Sequence, residues 1–444
     1  MPDDLSNRPE IPPAAPRRIA VVGAGVSGLT AAYLLSRVHR VTLYEKDPRL
    51  GGHANTVGVD TADGVIGVDT GFIVYNETNY PQLKALFRHL DVPTQPSDMS
   101  FAVSLDDGAL EYSGSGLDGL FAQRRNLMSP KHWRLVYDLV RFYRGSGAML
   151  DDVAIAQMTL GQLLEQFGAG KSFARAHILP MAAAIWSTPT QAILDFPARS
   201  FLRFFANHGL FRLSKRIAWR TVTGGSRSYV DKLAAATDAV IRTGAAVTAL
   251  RRDADTLWLS AQGQDPEAYD AVVLACHADQ ALRLLSDADG RERAALGAFR
   301  YERNEAVLHR DTGFMPKRRR AWSSWNYLST GPLQAPKLAL SYWMNRLQAL
   351  PCQDNFFVTL NAAQEPAGTI GHYDYEHPIY DMAAVAAQRT LVDMQGRRGL
   401  YFAGAHLGYG FHEDGAQSAV AVARALGAPA PWGDAAQPLD RIAA

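Results

Sequence analysis

The sequence predicts an α/β fold built on a parallel sheet, and three observations carry that expectation. An apolar run, Ile19-Ala20-Val21-Val22, leads directly into the turn Gly23-Ala24-Gly25-Val26-Ser27-Gly28. A helical stretch over 27–36 follows. A second apolar strand, Val41-Thr42-Leu43-Tyr44, then delivers Glu45, 22 residues after Gly23. Strand, glycine turn, helix, strand and terminal acid in this order make a Rossmann-like dinucleotide-binding unit.

Each element has a separable physical reason. Gly23 permits the tight turn, Gly25 lets the backbone approach a pyrophosphate, and Gly28 lets the helix pack on the strand. The helix opening at Val26 and Ser27 aims its free amides at phosphates. Glu45 sits where a carboxylate accepts the hydroxyl protons of an adenosine ribose, and its charge repels a 2′-phosphate. FAD or NAD therefore fits better than NADP. The stretch Glu45-Lys46-Asp47-Pro48-Arg49-Leu50-Gly51-Gly52-His53 brings adjacent glycines where the backbone can pass a bulky flat group, although these residues alone also read as an ordinary turn.

Farther along, short strands at 247–251, 256–261 and 271–275 read as a small meander. Residues 117–220 carry helical periodicity, with Leu135, Leu139, Phe142 and Tyr143 on one face and Leu160, Leu163, Leu164 and Phe167 on another. Residues 299–361 look strand-rich. Their clearest run sets Leu338, Leu340 and Tyr342 against Ala339, Ser341 and Trp343, a sheet expected to floor a pocket. The nucleotide-binding pieces fall at 17–80, 222–285 and 395–427. The blocks 81–221 and 286–394 are expected to form a discontinuous α+β substrate domain, with tails at 1–16 and 428–444.

Composition narrows the class. A chain of 444 residues with 47% hydrophobic content can bury a large core, normally as two domains. A net charge of +1 argues against a nucleic-acid protein. Two cysteines, Cys276 and Cys352, make neither a disulfide framework nor a metal site, so a reducing, cytoplasmic setting is expected. The first 16 residues lack a signal-peptide pattern. The uncharged stretch 176–194 is interrupted by Pro180, Pro189 and His177, against a spanning helix.

The Arg49-x-Gly51-Gly52 segment resembles that of the flavin-containing amine oxidase, phytoene desaturase and protoporphyrinogen oxidase superfamily. Gly399-Leu400-Tyr401-Phe402-Ala403-Gly404, followed by Gly415-Ala416-Gln417-Ser418-Ala419, resembles the strand and helix that close over the flavin there. Thr221-Val222-Thr223-Gly224-Gly225-Ser226 looks like the return into the nucleotide domain, after which 244–248 passes the adenine. The resemblance implies an amine oxidase fold and an FAD held by Gly23, Gly25, Val26, Ser27, Gly28, Glu45, Lys46, Arg49, Gly51, Gly52, His53, Val247, Gly404, His406, Gly415 and Ala416. Non-covalent attachment is expected, because neither cysteine falls in the late glycine motif. Two positions depart from the pattern: Gly404-Ala405-His406 lacks the usual carboxylate, and His53 replaces the usual arginine.

For chemistry, His412 precedes Gly415 by three residues and reads either as an acid or base near the ring or as a loop-bonded histidine. Tyr409 and Phe411 line a pocket or simply pack. No lysine stands out in the strand-rich block. Trp322, Trp325, Tyr327, Tyr342 and Trp343 suggest an apolar pocket or ordinary core. Phe201 through Arg220, and Lys317-Arg318-Arg319-Arg320 with Phe314, Trp322 and Trp325, interleave basic and aromatic residues as at an anionic bilayer, a pattern that solvated charge over a buried aromatic face also produces.

The run Val68-Asp69-Thr70-Gly71-Phe72-Ile73-Val74-Tyr75-Asn76 with Asn79-Tyr80-Pro81, and Gly51-Gly52-His53-Ala54-Asn55-Thr56 before it, resembles a bacterial subgroup linked to fatty acyl modification. That resemblance implies FAD-dependent desaturation of an unsaturated or methylated acyl chain, with a lipid or other apolar small molecule as substrate and the inner membrane face as a possible contact. The alternatives are an amine oxidase producing hydrogen peroxide, a flavin-dependent double-bond isomerase, and a redox-inactive lipid-binding flavoprotein.

Overall fold

The structure is a computed structural model that describes residues 15–186, 190–211, 217–254, 256–330 and 337–433. Its nucleotide half is a five-stranded parallel sheet in the order Val240–Arg242, Arg40–Tyr44, Arg18–Val22, Ala271–Leu274 and Leu400–Phe402. Ile19 faces Val41 on one side and Ala271 on the other. Arg18–Val22 is central and covered on both faces, which is why it reads as an unbroken apolar run. The helix Val26–Ser36 is buried nearly all round, since the sheet lies on one side and the helices Arg227–Ala236 and His412–Ala425 on the other.

One expectation is corrected here. Residues 271–275 do not end the meander, because Ala271–Leu274 is a fully buried parallel strand between Arg18–Val22 and Leu400–Phe402. The meander instead runs Val247–Asp253, Thr256–Ala261 and Glu267–Tyr269. A four-residue apolar run carries no period that distinguishes the two roles.

The second half is organised by a seven-stranded sheet in the order Gly371–Ile379, Arg300–His309, Phe357–Leu360, Lys337–Trp343, Trp325–Thr330, Phe101–Leu105 and Leu110–Ser113. All neighbours are antiparallel except Trp325–Thr330 and Phe101–Leu105. Helices cover it. Pro130–Asp151 starts with proline at its first position and a Ser129 cap, and buries Leu135 and Phe142. Leu160–Gln166 opens with a Thr159/Gln162 capping box.

The helical part of the basic-aromatic run at 201–220 turns its aromatic rings into the core. In Ala198–Asn207, Phe201, Phe204 and Phe205 are all buried, with the Phe201 and Phe205 rings 4.1 Å apart. Their i, i+3, i+4 spacing marks an inward helical face. Arg212, Lys215 and Arg216 of this run lie outside the described residues. In the second run Phe314 is buried, Arg318 pairs with the buried Glu111 at 2.8 Å, and Arg319 lies 4.1 Å over Trp322. The uncharged stretch from 176 starts in a π-helical turn, Ala174–Ile178, that runs on into the helix Leu179–Trp186, and 187–189 of it lie outside the described residues. Among the described residues no helix is long and apolar enough to cross a membrane.

Asp69 ties the halves together. Its buried carboxylate accepts from the Ser226 amide (2.8 Å), the Ser226 hydroxyl (2.8 Å), the Thr56 hydroxyl (2.6 Å) and Gln348 Nε2 (2.9 Å). Burial pushes this carboxyl up to about 6, against the opposing pull of those donors.

Candidate active site

A cavity of about 880 Å³ opens at the carboxyl ends of the parallel strands and extends to the large sheet. Gly23, Gly25, Val26, Ser27, Glu45, Lys46, Arg49, Gly51, Gly52, His53, Val247, Gly404, His406 and His412 all line it. Gly28, Gly415 and Ala416 do not. Gly28 lets the helix sit on the Gly23 carbonyl, into which a methyl would run, and a methyl on Gly415 would lie 2.7 Å from Ser27 Oγ. These glycines therefore shape the wall from behind.

The nucleotide end fits an ADP group. Gly23 adopts φ +100°, and a methyl there would lie 2.8 Å from the Ala275 carbonyl oxygen. At Gly25, by contrast, a methyl would meet no protein atom within 4 Å, so it would project into open space where a pyrophosphate needs room. The following helix has no acid in its first turn. Glu45 accepts from the Ala24 amide at 2.7 Å and the Asp47 amide at 3.0 Å, holding its carboxylate across the strand ends. Ala245, Ala246 and Val247 form the adjacent wall.

Histidines also line the cavity. The His412 ring stacks on Phe72 with centroids 3.7 Å apart and meets Tyr229 edge-on at 6.3 Å. Its buried Nε2 has no hydrogen-bond partner, and neither has Nε2 of His406. Burial lowers both imidazoles to about 3 and so keeps them neutral. His53 packs 5.0 Å from Tyr375 and 5.3 Å from His377, and burial, reinforced by neighbouring cations and histidines, holds it well below the usual histidine range. His377 lies at about 4 for the same reason, burial first, with Nδ1 3.1 Å from Asn304 Nδ2.

Beyond the histidines the cavity becomes apolar. Phe101, Met181, Ile185, Trp186, Phe204 and Leu210 line it, together with Trp219, Trp325, Tyr342, Tyr409 and Phe411. Of the five aromatic residues singled out in the strand-rich block, Trp325 and Tyr342 reach the cavity, whereas Trp322, Tyr327 and Trp343 do not. The acids that touch the cavity are Glu45 and Asp47 at the nucleotide strand and Asp374 and Glu376 on the edge strand. The latter two are exposed and paired, Asp374 with Arg303 and Glu376 with His277. Among the described residues, none of the apolar part's lining side chains is acidic.

Sequence reasoning missed several participants. Phe72 was visible only as part of a motif, yet it carries the His412 stack. Tyr375 anchors the wall under His53, bonding Thr70 Oγ1 at 2.7 Å and Asn55 Nδ2 at 3.1 Å, from more than 300 residues away in the chain. Glu413, beside His412, accepts from the Gln82 and Leu83 amides at 2.9 Å each and caps the helix Pro81–His89. Cys276 also reaches the cavity, with its thiol pushed up to about 12 by burial.

An open dinucleotide cradle continuous with an apolar chamber, with two unpartnered imidazole nitrogens in the wall, fits FAD and defines a flavoprotein of the oxidoreductase type. The chain belongs to the flavin containing amine oxidoreductase family, whose model matches residues 26–303. FAD is its cofactor, and Gly23, Gly25, Ser27 and Glu45 line the end of the cavity that could take its nucleotide. Over 107 residues the chain is 37% identical to a carotenoid phi-ring synthase of Streptomyces griseus, which covers 24% of this chain and 19% of that one. Over 42 residues it is 55% identical to an L-amino-acid oxidase of Pseudechis australis, covering 9% and 8%. The matches therefore span less than a fifth of these curated relatives. Among solved structures, a CLA-producing fatty acid isomerase from P. acnes aligns with TM-score 0.65 and 15% identity over 92% of this chain and 98% of the other. A putrescine oxidase bound to putrescine aligns with TM-score 0.66 and 14% identity, over 92% and 98%. At those identities the likeness is one of fold.

Proposed function

We propose that the protein is an FAD-dependent oxidoreductase acting on an apolar substrate, and specifically that it desaturates an unsaturated or methylated fatty acyl chain. The observation that carries this reading is that the described side chains lining the apolar chamber include no acid. A protonated amine brought there would lose its water without gaining a counter-ion, at a cost of several kcal/mol. An acyl chain would instead gain roughly 25 cal/mol for each Å² it buries.

When bound, FAD supplies a two-electron acceptor for hydride leaving a substrate carbon. The chain's own residues bind and orient. Phe101, Trp325, Tyr342 and Phe204 would grip the apolar chain and exclude water, while His412 Nε2 would receive the neighbouring proton as the new double bond forms. Each double bond formed would consume one equivalent of a two-electron acceptor, oxygen or another.

Isomerisation is the second reading, and one observation favours it. A base held at about 3 accepts a proton at pH 7 only at a cost of roughly 5 kcal/mol. An isomerisation in which hydride is removed and then returned at another carbon needs no net change of oxidation state and no acceptor. The fold shared with a fatty acid isomerase is compatible with it.

Mass spectrometry of lipid extracts incubated with holoprotein distinguishes these readings. Desaturation yields an acyl product lighter by two hydrogens, together with acceptor consumption. Isomerisation yields equal mass and an altered double-bond position. Neither change, with amines oxidised instead, would contradict the acyl reading.

A further inference from the structure

We infer that residues 117–137 form a docking face for an anionic lipid bilayer. Leu117 and Met128 are 77% and 86% exposed, and Leu127, Trp133 and Tyr137 stand about half in solvent. Five large exposed apolar side chains within one short stretch of chain are more than the scattered exposure normal for a folded protein. Contacts link three of them: Trp133 Nε1 donates to the Leu127 carbonyl at 2.9 Å, its ring lies 5.2 Å from Phe121, and the Phe121 amide donates to the Leu117 carbonyl.

The charges around this face decide its partner. Residues 114–134 contain four cations, Arg124, Arg125, Lys131 and Arg134, and one acid, Asp118, which is paired with Arg124. Arg319 and Arg320 approach from the short turn that contacts Gly116–Leu120. Arg134 is also paired with the buried Asp138, and Asp106 on the adjoining hairpin with Arg175. Exposed Leu, Met and Trp ringed by Arg and Lys suit a surface whose interior is apolar and whose headgroups are negative. This face is distinct from the 201–205 helix, whose rings point inward, and it gives the Arg319 and Arg320 run an apolar neighbour that is exposed. It is also continuous in the chain with the strand Leu110–Ser113, which pairs with Phe101–Leu105 in the cavity floor.

Docking would deliver the acyl substrate proposed above, and it is read without turnover, so its failure and a failure of the acyl reading are seen separately. The holoprotein is sedimented with vesicles of phosphatidylcholine alone or mixed with phosphatidylglycerol. Binding is expected to the anionic vesicles at about 0.1 M salt and to be weak on the neutral ones. Leu117→Ser with Met128→Ser should lower partitioning at least tenfold, and Lys131→Glu with Arg320→Glu should weaken it severalfold, all with flavin absorbance unchanged. No vesicle binding at low salt would overturn the proposal. So would binding indifferent to the Leu117 and Met128 changes. A double variant that alters the sedimentation-velocity oligomeric state, in a protein that ignores vesicles, would reassign the face to contact with a second copy and equally overturn it.

Discussion

The imidazole of His412 lies on the ring of Phe72, centroids 3.7 Å apart and planes 15° from parallel, with Nε2 buried and unpartnered. The stack fixes the ring while leaving one nitrogen uncommitted. His412→Phe should keep the stack and FAD binding but slow substrate-dependent flavin bleaching by about 10²–10⁴-fold if that nitrogen takes the proton. Stopped-flow absorbance measures it. An unchanged rate would assign His412 to packing.

Two glycines in one turn should fail differently. Gly25→Ala adds a methyl that meets no protein atom within 4 Å, so the melting temperature of the cofactor-free protein should stay within about 1 °C while FAD affinity falls at least tenfold. Gly28→Ala drives a methyl into the Gly23 carbonyl and should lose the folded helix–strand contact as well. Calorimetric unfolding and fluorescence titration with FAD separate the two outcomes.

Much of the nucleotide half was legible because its signals are local. Gly23, Gly25, Gly28 and Glu45 each answer a demand made by the next few residues. Ala271–Leu274 was misplaced because four apolar residues look the same in a meander and a central parallel strand. The Phe201, Phe204 and Phe205 face is buried, the reading of solvated charge over a buried aromatic face that the run left open beside a bilayer contact. Asp69 with Ser226 and Gln348, and Tyr375 with Thr70, were not legible at all, since each joins residues more than 150 positions apart that only the tertiary fold brings together.

Asp69→Asn should destabilise the protein. Its carboxylate accepts from four donors, and an amide would present NH₂ to at least one of them. A loss of about 1–3 kcal/mol is expected in urea unfolding, along with weaker FAD retention as the Thr223–Ser226 turn loosens.

Acid should destabilise the fold before it protonates most carboxylates. Burial lowers His177, His309 and His377 to about 4 and His406 and His412 to about 3. The unfolded chain takes up protons at these sites below about 6.5 while the folded chain does not, so their contribution is intact above that pH and is lost as pH falls toward 4. Asp69, raised to about 6, works in the opposite direction between 4 and 6, but it is one group against five. Melting temperature should therefore drop steadily from pH 6.5 to pH 4.

The flavin should come away intact. With the Cys276 thiol pushed up to about 12, its thiolate is scarce near neutral pH. Acid precipitation should release all the yellow colour into the supernatant, and iodoacetamide should leave Cys276 unmodified at pH 8 in the folded protein.

The apolar chamber makes its most direct demand on the choice of reductant. Holoprotein under argon is mixed with an unsaturated or methylated acyl phospholipid or with putrescine, and the flavin absorbance near 450 nm is followed over time. The lipid should bleach it and putrescine should not; bleaching by putrescine with none by lipid would contradict the assignment of an apolar substrate.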